Sequence, residues 1–337
     1  MAQAGCKILF DMDRIGVMGL DGLKDKLLDI LGIRKQLTQR WQANPPGVFV
    51  AIDVPDFNLT LESRLKAHGI PCLHYVSPTV WAWRGYRIHK IKRSVNHMLA
   101  LFPFEAEYYR RHKVPVTCVG HPLADEISEP DQAAARKALG FASGLLVALL
   151  PGSRRSEVKR LAGPIMEAAK ILFKQYPDIQ FVLPIAGESV GRTFSQYAGE
   201  IDDLPITLLD GQSRLAMEAA DVAILASGTA SLEAALLGVP HVVVYRLSGI
   251  SYWLMMRLRQ VDHYAMPNHL LPEPLVPELI QHRVTPEAIV EEVNRYLQNP
   301  QRMQDIKQAF SGIHQSLKLD ADKRAAEVVL SMLQEKV

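Results

Sequence analysis

Cysteine is scarce in this chain: Cys6, Cys72 and Cys118 are the only ones among 337 residues. An odd, widely spaced set in apolar surroundings argues against a disulfide scaffold and against a zinc site. It reads as reduced core thiols in a cytoplasmic protein. Charge of one sign is missing too, since 38 basic residues face 36 acidic ones for a net +2. That removes the bulk-charge case for a nucleic-acid binder. No apolar run approaches the roughly 18–20 residues of a membrane span. The first residues lack a basic stretch followed by an apolar one, so no signal peptide is expected. Histidines and carboxylates nowhere fall at metal-ligand spacing, so neither a metal nor a cofactor is expected. Low-complexity tracts and short-period repeats are absent.

Apolar side chains make up 48% of the chain, enough for sizeable cores. The length suits two domains. Short runs rich in Val, Ile and Leu predict strands at Gly47–Ile52, Cys72–Val76, His97–Phe102, Thr117–Val119, Leu145–Leu150, Gln180–Pro184, Ile206–Leu209, Val222–Leu225 and His241–Tyr245. Most lack polar alternation, as parallel strands covered on both faces do. Helical spacing marks Arg155–Tyr176, Ser213–Ala220 and Ala230–Leu237, the last stopped by Gly238-Val239-Pro240. Strands alternating with helices predict doubly wound α/β sheets. His121–Ser143 has few long apolar residues and separates two such series, which sets domains at 1–140 and 141–300. After Tyr245 the strand signal ends. Thr285–Leu297 and Gln301–Gln334 read as helices, and 301–337 closes the chain on helical packing. The first series looks incomplete: ahead of Gly47 only Lys7–Phe10 is a weak strand candidate, and no strand, glycine turn and helix precede it in clear form.

Two turns carry the chemistry. Leu150-Pro151-Gly152-Ser153-Arg154 and Ala226-Ser227-Gly228-Thr229-Ala230 each end a predicted strand and open a predicted helix. A helix N-terminus presents unpaired N–H groups and partial positive charge. Two such ends can cradle a diphosphate, and Arg154 adds a planar cation. Either turn alone is explained by small residues at a tight strand-to-helix bend. Both together, with Glu233 one helical turn past Thr229, point to nucleotide binding.

In open α/β sheets the ligand lies beyond the carboxyl ends of the strands. The residues there are Asp53 with Val54–Asn58, Ser77-Pro78, Pro103-Phe104-Glu105, Gly120-His121-Pro122, Ser153-Arg154, Asp210-Gly211, Ser227–Thr229 and Arg246. A carboxylate partly buried at a strand end has its pKa raised toward the range of a general base. Asp53 is assigned that place, and Asp56 is expected to cap a helix over Phe57–His68. His121 is a catalytic or a locally bonded loop histidine. His74, within a strand, is expected to be a satisfied core residue.

Trp81–Arg93 holds two Trp, one Tyr and six basic side chains counting His89. Aromatic residues with cations suit an interface with anionic lipid headgroups. A helix with a solvated basic face and inward Trp residues explains the composition equally well. Tyr252–Met256 is expected to pack in a core or between domains.

These blocks together resemble the lipid-A-disaccharide synthase family. The resemblance rests on Ile52–Asn58, Ser77-Pro78-Thr79-Val80-Trp81-Ala82-Trp83-Arg84, Gly120-His121-Pro122, Leu150–Arg154, Leu225–Ala230 with Glu233, and Met266-Pro267-Asn268, in the same order from about Gly5 to the end. It implies a GT-B fold, two Rossmann-like domains facing across a cleft. It also implies transfer of 2,3-diacylglucosamine from UDP to 2,3-diacylglucosamine 1-phosphate, giving a β-1,6 disaccharide 1-phosphate and UDP, on the cytoplasmic face of a Gram-negative inner membrane. Asp53 is then the catalytic base. Gly152, Ser153, Arg154, Ser227, Gly228, Thr229, Glu233 and Asn268 hold the donor, Glu233 on the ribose hydroxyls. Ser77, Trp81, Trp83, Arg84 and His121 lie on the acceptor or membrane side. The family's opening strand with its Ala-Gly-Glu-x-Ser-Gly-Asp-like turn has no counterpart in this sequence, so the first sheet is expected to lack its central strand and to expose edges. Another GT-B activity on a UDP-sugar, such as a 2-epimerase, and a non-catalytic UDP- or lipid-binding chain remain as alternatives.

Overall fold

The computed structural model describes residues 5–10, 23–141, 143–201 and 203–334. The chain divides into two compact units, Met1–Val119 with Asp322–Val337, and Gly120–Ala321. The division falls at Val119–Gly120, ahead of the 121–143 stretch, and the last residues belong with the first unit instead of forming a separate helical end.

The first unit contains α1 (Leu23–Ala43), β1 (Phe49–Ile52), α2 (Pro55–Lys66), β2 (Cys72–Tyr75), α3 (Ile88–Ser94), β3 (His97–Ala100), α4 (Pro103–Arg111) and β4 (Val116–Cys118). Its strands form a parallel sheet in the order β1-β2-β3-β4, with Phe49 opposite Cys72 and Leu73 opposite His97. β1 is an edge among the described residues. Val50 and Ile52 on it are 37% and 43% exposed while Phe49 and Ala51 are buried, so only one of its faces is covered. In the weak strand candidate Lys7–Phe10, residues 7–9 carry no regular structure and Phe10 sits in a bend. α1, a 21-residue helix, is not among the helices that the sequence pattern predicts. Its Ile33 and Leu37, one turn apart, are buried with Phe49, Phe57, Leu61 and Leu65.

The second unit runs α5 (Pro122–Glu126), α6 (Gln132–Leu139), β5 (Leu146–Leu150), α7 (Arg155–Gln175), β6 (Gln180–Ile185), α8 (Glu188–Tyr197), β7 (Ile206–Asp210), α9 (Ser213–Ala219), β8 (Val222–Ala226), α10 (Thr229–Leu236), β9 (His241–Tyr245), α11 (Gly249–Leu258), α12 (Met266–Leu270), β10 (Glu278–Ile280), α13 (Pro286–Leu297) and α14 (Pro300–Leu317). The six strands are parallel, in the order β10-β9-β8-β5-β6-β7. Counted along the unit this is the doubly wound order, with the first strand, β5, beside the fourth, β8. Leu146–Leu150 and Val222–Ala226 are buried at every position, as a central parallel strand requires. Each fully buried Leu or Ile there contributes about 1.5–3 kcal/mol.

Strand signal does not end at Tyr245: β10 pairs with β9, Leu279 opposite Val244. Three residues are too few for a pattern to show. The predicted helix 301–334 is two, α14 and α15 (Ala321–Gln334), because Asp320 turns left-handed at φ 56°.

Candidate active site

The turn after β5 and the turn after β8 lie side by side, where the strand order reverses. This is the switch point at which open α/β sheets bind ligands. A cavity of about 420 Å³ opens there. Gly152, Ser153, Arg154, Ser227, Gly228, Thr229 and Glu233 all line it, joined by Glu157, Ile185, Gly211 and Ser213. Seven of the eight expected donor residues are therefore brought together. A larger groove of about 690 Å³ is lined from Ile171 to Arg302 by residues of α7, α13, α14 and the turn between the last two, none at a strand end.

The first turn is built on Gly152. Its φ is +121°, and a Cβ there would stand 2.6 Å from Glu157 Cβ and Oε2. Glu157 is the third residue of α7, and its Oε2 accepts from the Arg154 backbone N–H at 3.3 Å. Its Oε1 accepts from Arg154 Nη1 at 3.3 Å. That pair holds the guanidinium beside the helix N-terminus, with 80% of the Arg154 side chain exposed. In the second turn Ser227 Oγ donates to the Tyr264 carbonyl at 3.3 Å, and α10 opens at Thr229. Glu233 Oε1 accepts from Arg214 Nε at 3.0 Å. The cavity thus offers two helix N-termini, a cation and two carboxylates, one of them paired with that cation, a set suited to a nucleoside diphosphate.

Asn268 is placed elsewhere. It is 5% exposed, and its amide is used internally. Nδ2 donates to the Val276 carbonyl and to Glu278 Oε1, and Oδ1 accepts from Leu275 and Val276 N–H. The Glu278 carboxylate also accepts from the Tyr264 and Ala265 N–H groups, at 2.9 and 3.0 Å. Asn268 therefore acts on the loop that supports Ser227 and does not line the cavity. Arg246, at the end of β9, likewise clamps the Gln281 and Val284 carbonyls.

In the first unit, Asp53 follows β1 with φ +49°, and Val54 follows it at φ +44°. Two successive non-glycine residues in the left-handed region, the second β-branched, mark a strained turn. Asn58 Nδ2 donates to the Asp53 carbonyl at 2.7 Å and holds the turn. The Asp53 side chain is exposed, not partly buried as expected. Asp56 does not cap. The helix begins at Pro55 with Val54 as its flanking residue and no side-chain cap, because Pro55 fits the first helical position. Asp56 pairs instead with Arg87 at 2.5 Å.

The Trp81–Arg93 block is a loop plus a short helix. Trp81 Nε1 donates to Glu105 Oε1 at 3.0 Å, and its ring meets Phe104 edge-on. Trp83 Nε1 donates to Thr79 Oγ1, and Arg84 stacks on the Trp83 ring at 4.0 Å. Ser77 is buried and bonds Tyr109 Oη at 3.0 Å. Glu105, 3% exposed, also accepts from the Leu101 and Phe102 N–H groups. Burial pushes its pKa up to about 7. His121 caps α5, its Nδ1 accepting from the Leu123 N–H at 3.2 Å, and burial lowers its pKa. His74 is buried with Nδ1 on Glu62 at 3.0 Å, but its Nε2 has no partner among the described residues, so it is only half satisfied. Cys72 is buried and pushed up to about 12 by burial, while Cys6 is exposed and so is no core thiol. Trp253 is 57% exposed under Arg257, and so lies outside any core.

A family model described as lipid-A-disaccharide synthetase matches residues 1–331. The chain belongs to the lipid-A-disaccharide synthase family. The family's enzyme from Aromatoleum aromaticum is 45% identical over 99% of this chain and 86% of its own length. The one from Aeromonas hydrophila is 44% identical over 99% and 88%. Among solved structures, UDP-GlcNAc 2-epimerase from Neisseria meningitidis bound to UDP-GlcNAc aligns with TM-score 0.66 at 15% identity, over 98% of this chain and 87% of that one. MurG from Acinetobacter baumannii aligns with TM-score 0.57 at 15% identity, over 94% and 83%. These likenesses establish a GT-B fold with two Rossmann-like domains for this member of the lipid-A-disaccharide synthase family.

Glu157, Arg214 and Glu278 are site-building residues that the sequence alone does not single out, and Glu105 is marked there by its place at a strand end. Glu157 had a local signal, a glutamate three residues past the helix entry. Glu105 has the same one, as the third residue of α4, while Arg214 and Glu278 contact partners 10 to 19 residues or more away and no spacing announces them.

Proposed function

We propose that this chain is an inverting glycosyltransferase acting as its family does. It moves 2,3-diacylglucosamine from UDP to 2,3-diacylglucosamine 1-phosphate, with a β-1,6 disaccharide 1-phosphate and UDP as products. The observation that carries the reading is the diphosphate-type cavity at the β5/β8 switch point of a chain matched by the family over nearly its whole length. The acceptor 6-hydroxyl oxygen attacks the anomeric carbon as the bond to the diphosphate breaks. The electron pair leaves on UDP, and the hydroxyl proton passes to Asp53. The N–H groups after Gly152 and Ser227, with Arg154, stabilise the charge that grows on the diphosphate. Glu233 accepts from the ribose hydroxyls. The solved UDP-sugar structures share only the fold at this identity, so epimerase chemistry is not carried over.

Among the described residues no helix is long and apolar enough to cross a membrane. The half-buried Trp83–Arg84 stack, the exposed Tyr86 beside it and the basic residues of α3 support peripheral contact with an anionic lipid surface, where acylated substrates reside. The test is Asp53→Asn with both acylated substrates in detergent, read by mass spectrometry for the tetra-acyl disaccharide phosphate, beside UDP titration. The expected result is lost turnover with UDP affinity unchanged; retained turnover moves the base elsewhere, His121 first.

A further inference from the structure

We propose that Arg214 is a positioning residue for nucleotide recognition: it holds the Glu233 carboxylate in the orientation that meets the ribose. The inference rests on the reading of Glu233 as the ribose acceptor. Glu233 lines the cavity, and Arg214 does not. Arg214 stands in the first turn of α9, and its Nε donates to Glu233 Oε1 at 3.0 Å. Its Nη2 lies 3.6 Å from Glu126 Oε2 on α5. One planar guanidinium therefore bridges carboxylates from two helices, which fixes its plane. The bond to Arg214 is made by Oε1, and a ribose hydroxyl would then meet Oε2.

One physical need explains the arrangement. A glutamate at a ligand-facing position has several rotamers, and ordering it on binding costs free energy unless a partner orders it first. Arg214 supplies that order from outside the cavity. The turn that delivers it also shapes the cavity. Gly211 and Gln212 are left-handed at φ +66° and +58°, and the Gly211 N–H donates to the Ile185 carbonyl at 2.8 Å. Gly211 and Ser213 form the wall, and Arg214 follows directly behind it.

The test is calorimetric titration of Arg214→Ala, Arg214→Lys and Glu233→Ala with UDP and with 2′,3′-dideoxy-UDP. If Arg214 acts through Glu233 on the ribose, Arg214→Ala weakens UDP about tenfold or more and leaves the dideoxy nucleotide within about twofold. Arg214→Lys, which keeps the charge without the fork, loses less. It also carries the test should the alanine variant fail to fold. Equal losses for both nucleotides, or no loss for UDP, overturn the proposal. Glu233→Ala separates the two readings. A ribose-dependent loss there with none in the Arg214 variants defeats the positioning role alone. No ribose-dependent loss in Glu233→Ala defeats the underlying assignment of Glu233.

Discussion

Gly152 and Glu157 occupy each other's space. A Cβ on Gly152 would meet Glu157 Cβ and Oε2 at 2.6 Å, and the Glu157 carboxylate is what ties the Arg154 side chain and backbone together. The glycine is therefore needed both for its φ of +121° and for the room it leaves the carboxylate.

Gly152→Ala should cost about 1–3 kcal/mol of stability through backbone strain. UDP affinity should fall about tenfold or more, because Glu157 must leave and Arg154 loses its tether. Thermal unfolding and UDP titration of one preparation check this. Wild-type UDP affinity in the variant would contradict it.

Arg154→Ala should weaken UDP by roughly 1.5–3 kcal/mol, the scale of a charge-assisted hydrogen bond. Arg154→Lys should recover part of that loss, since a point charge replaces a planar fork. Titration at two salt concentrations should show a smaller salt effect for the alanine variant. Unaltered binding would take Arg154 out of the site.

Asn58 holds the strained turn at Asp53 through the 2.7 Å bond to its carbonyl. Asn58→Ala should lower stability by about 1 kcal/mol and turnover by about tenfold, with UDP binding intact. The informative comparison is kcat against UDP affinity. A parallel fall in both would mean general unfolding.

Glu105 gives a pH dependence with a defined sign. Burial raises its pKa from 4.5 to about 7 in the folded chain. Between those values the folded state binds a proton that the unfolded state has released. Its contribution is therefore present below about pH 4.5 and is lost as pH rises through about 7. Denaturant unfolding from pH 5 to 8 should show this fall, at most about 1.4 kcal/mol per pH unit from this group. Glu105→Gln should flatten it. An unchanged slope in the variant would show that another group titrates there.

Much of the fold was legible because its signals are local. The buried runs Leu146–Leu150 and Val222–Ala226 and the glycine turns after them need no distant partner to be recognised. Harder elements lacked such a signal. In α1 the apolar positions are interleaved with Lys, Asp and Arg, with Gly32 inside the helix. In β10 only three residues pair. Asp56 looked like a cap because Asp suits caps, yet the proline before it had already set the helix start.

The sequence by itself determined the parallel sheets, the two glycine turns that open α7 and α10, and the family. Each of these rests on backbone preference or on a contiguous block of residues. Tertiary structure alone decided which side chains meet. It set Arg214 on Glu233, turned the Asn268 amide inward onto Glu278, paired Arg87 with Asp56 and placed Trp81 on a buried Glu105. Those contacts join separate elements. Whether they form depends on how the chain between them folds back, and no local pattern encodes that closure.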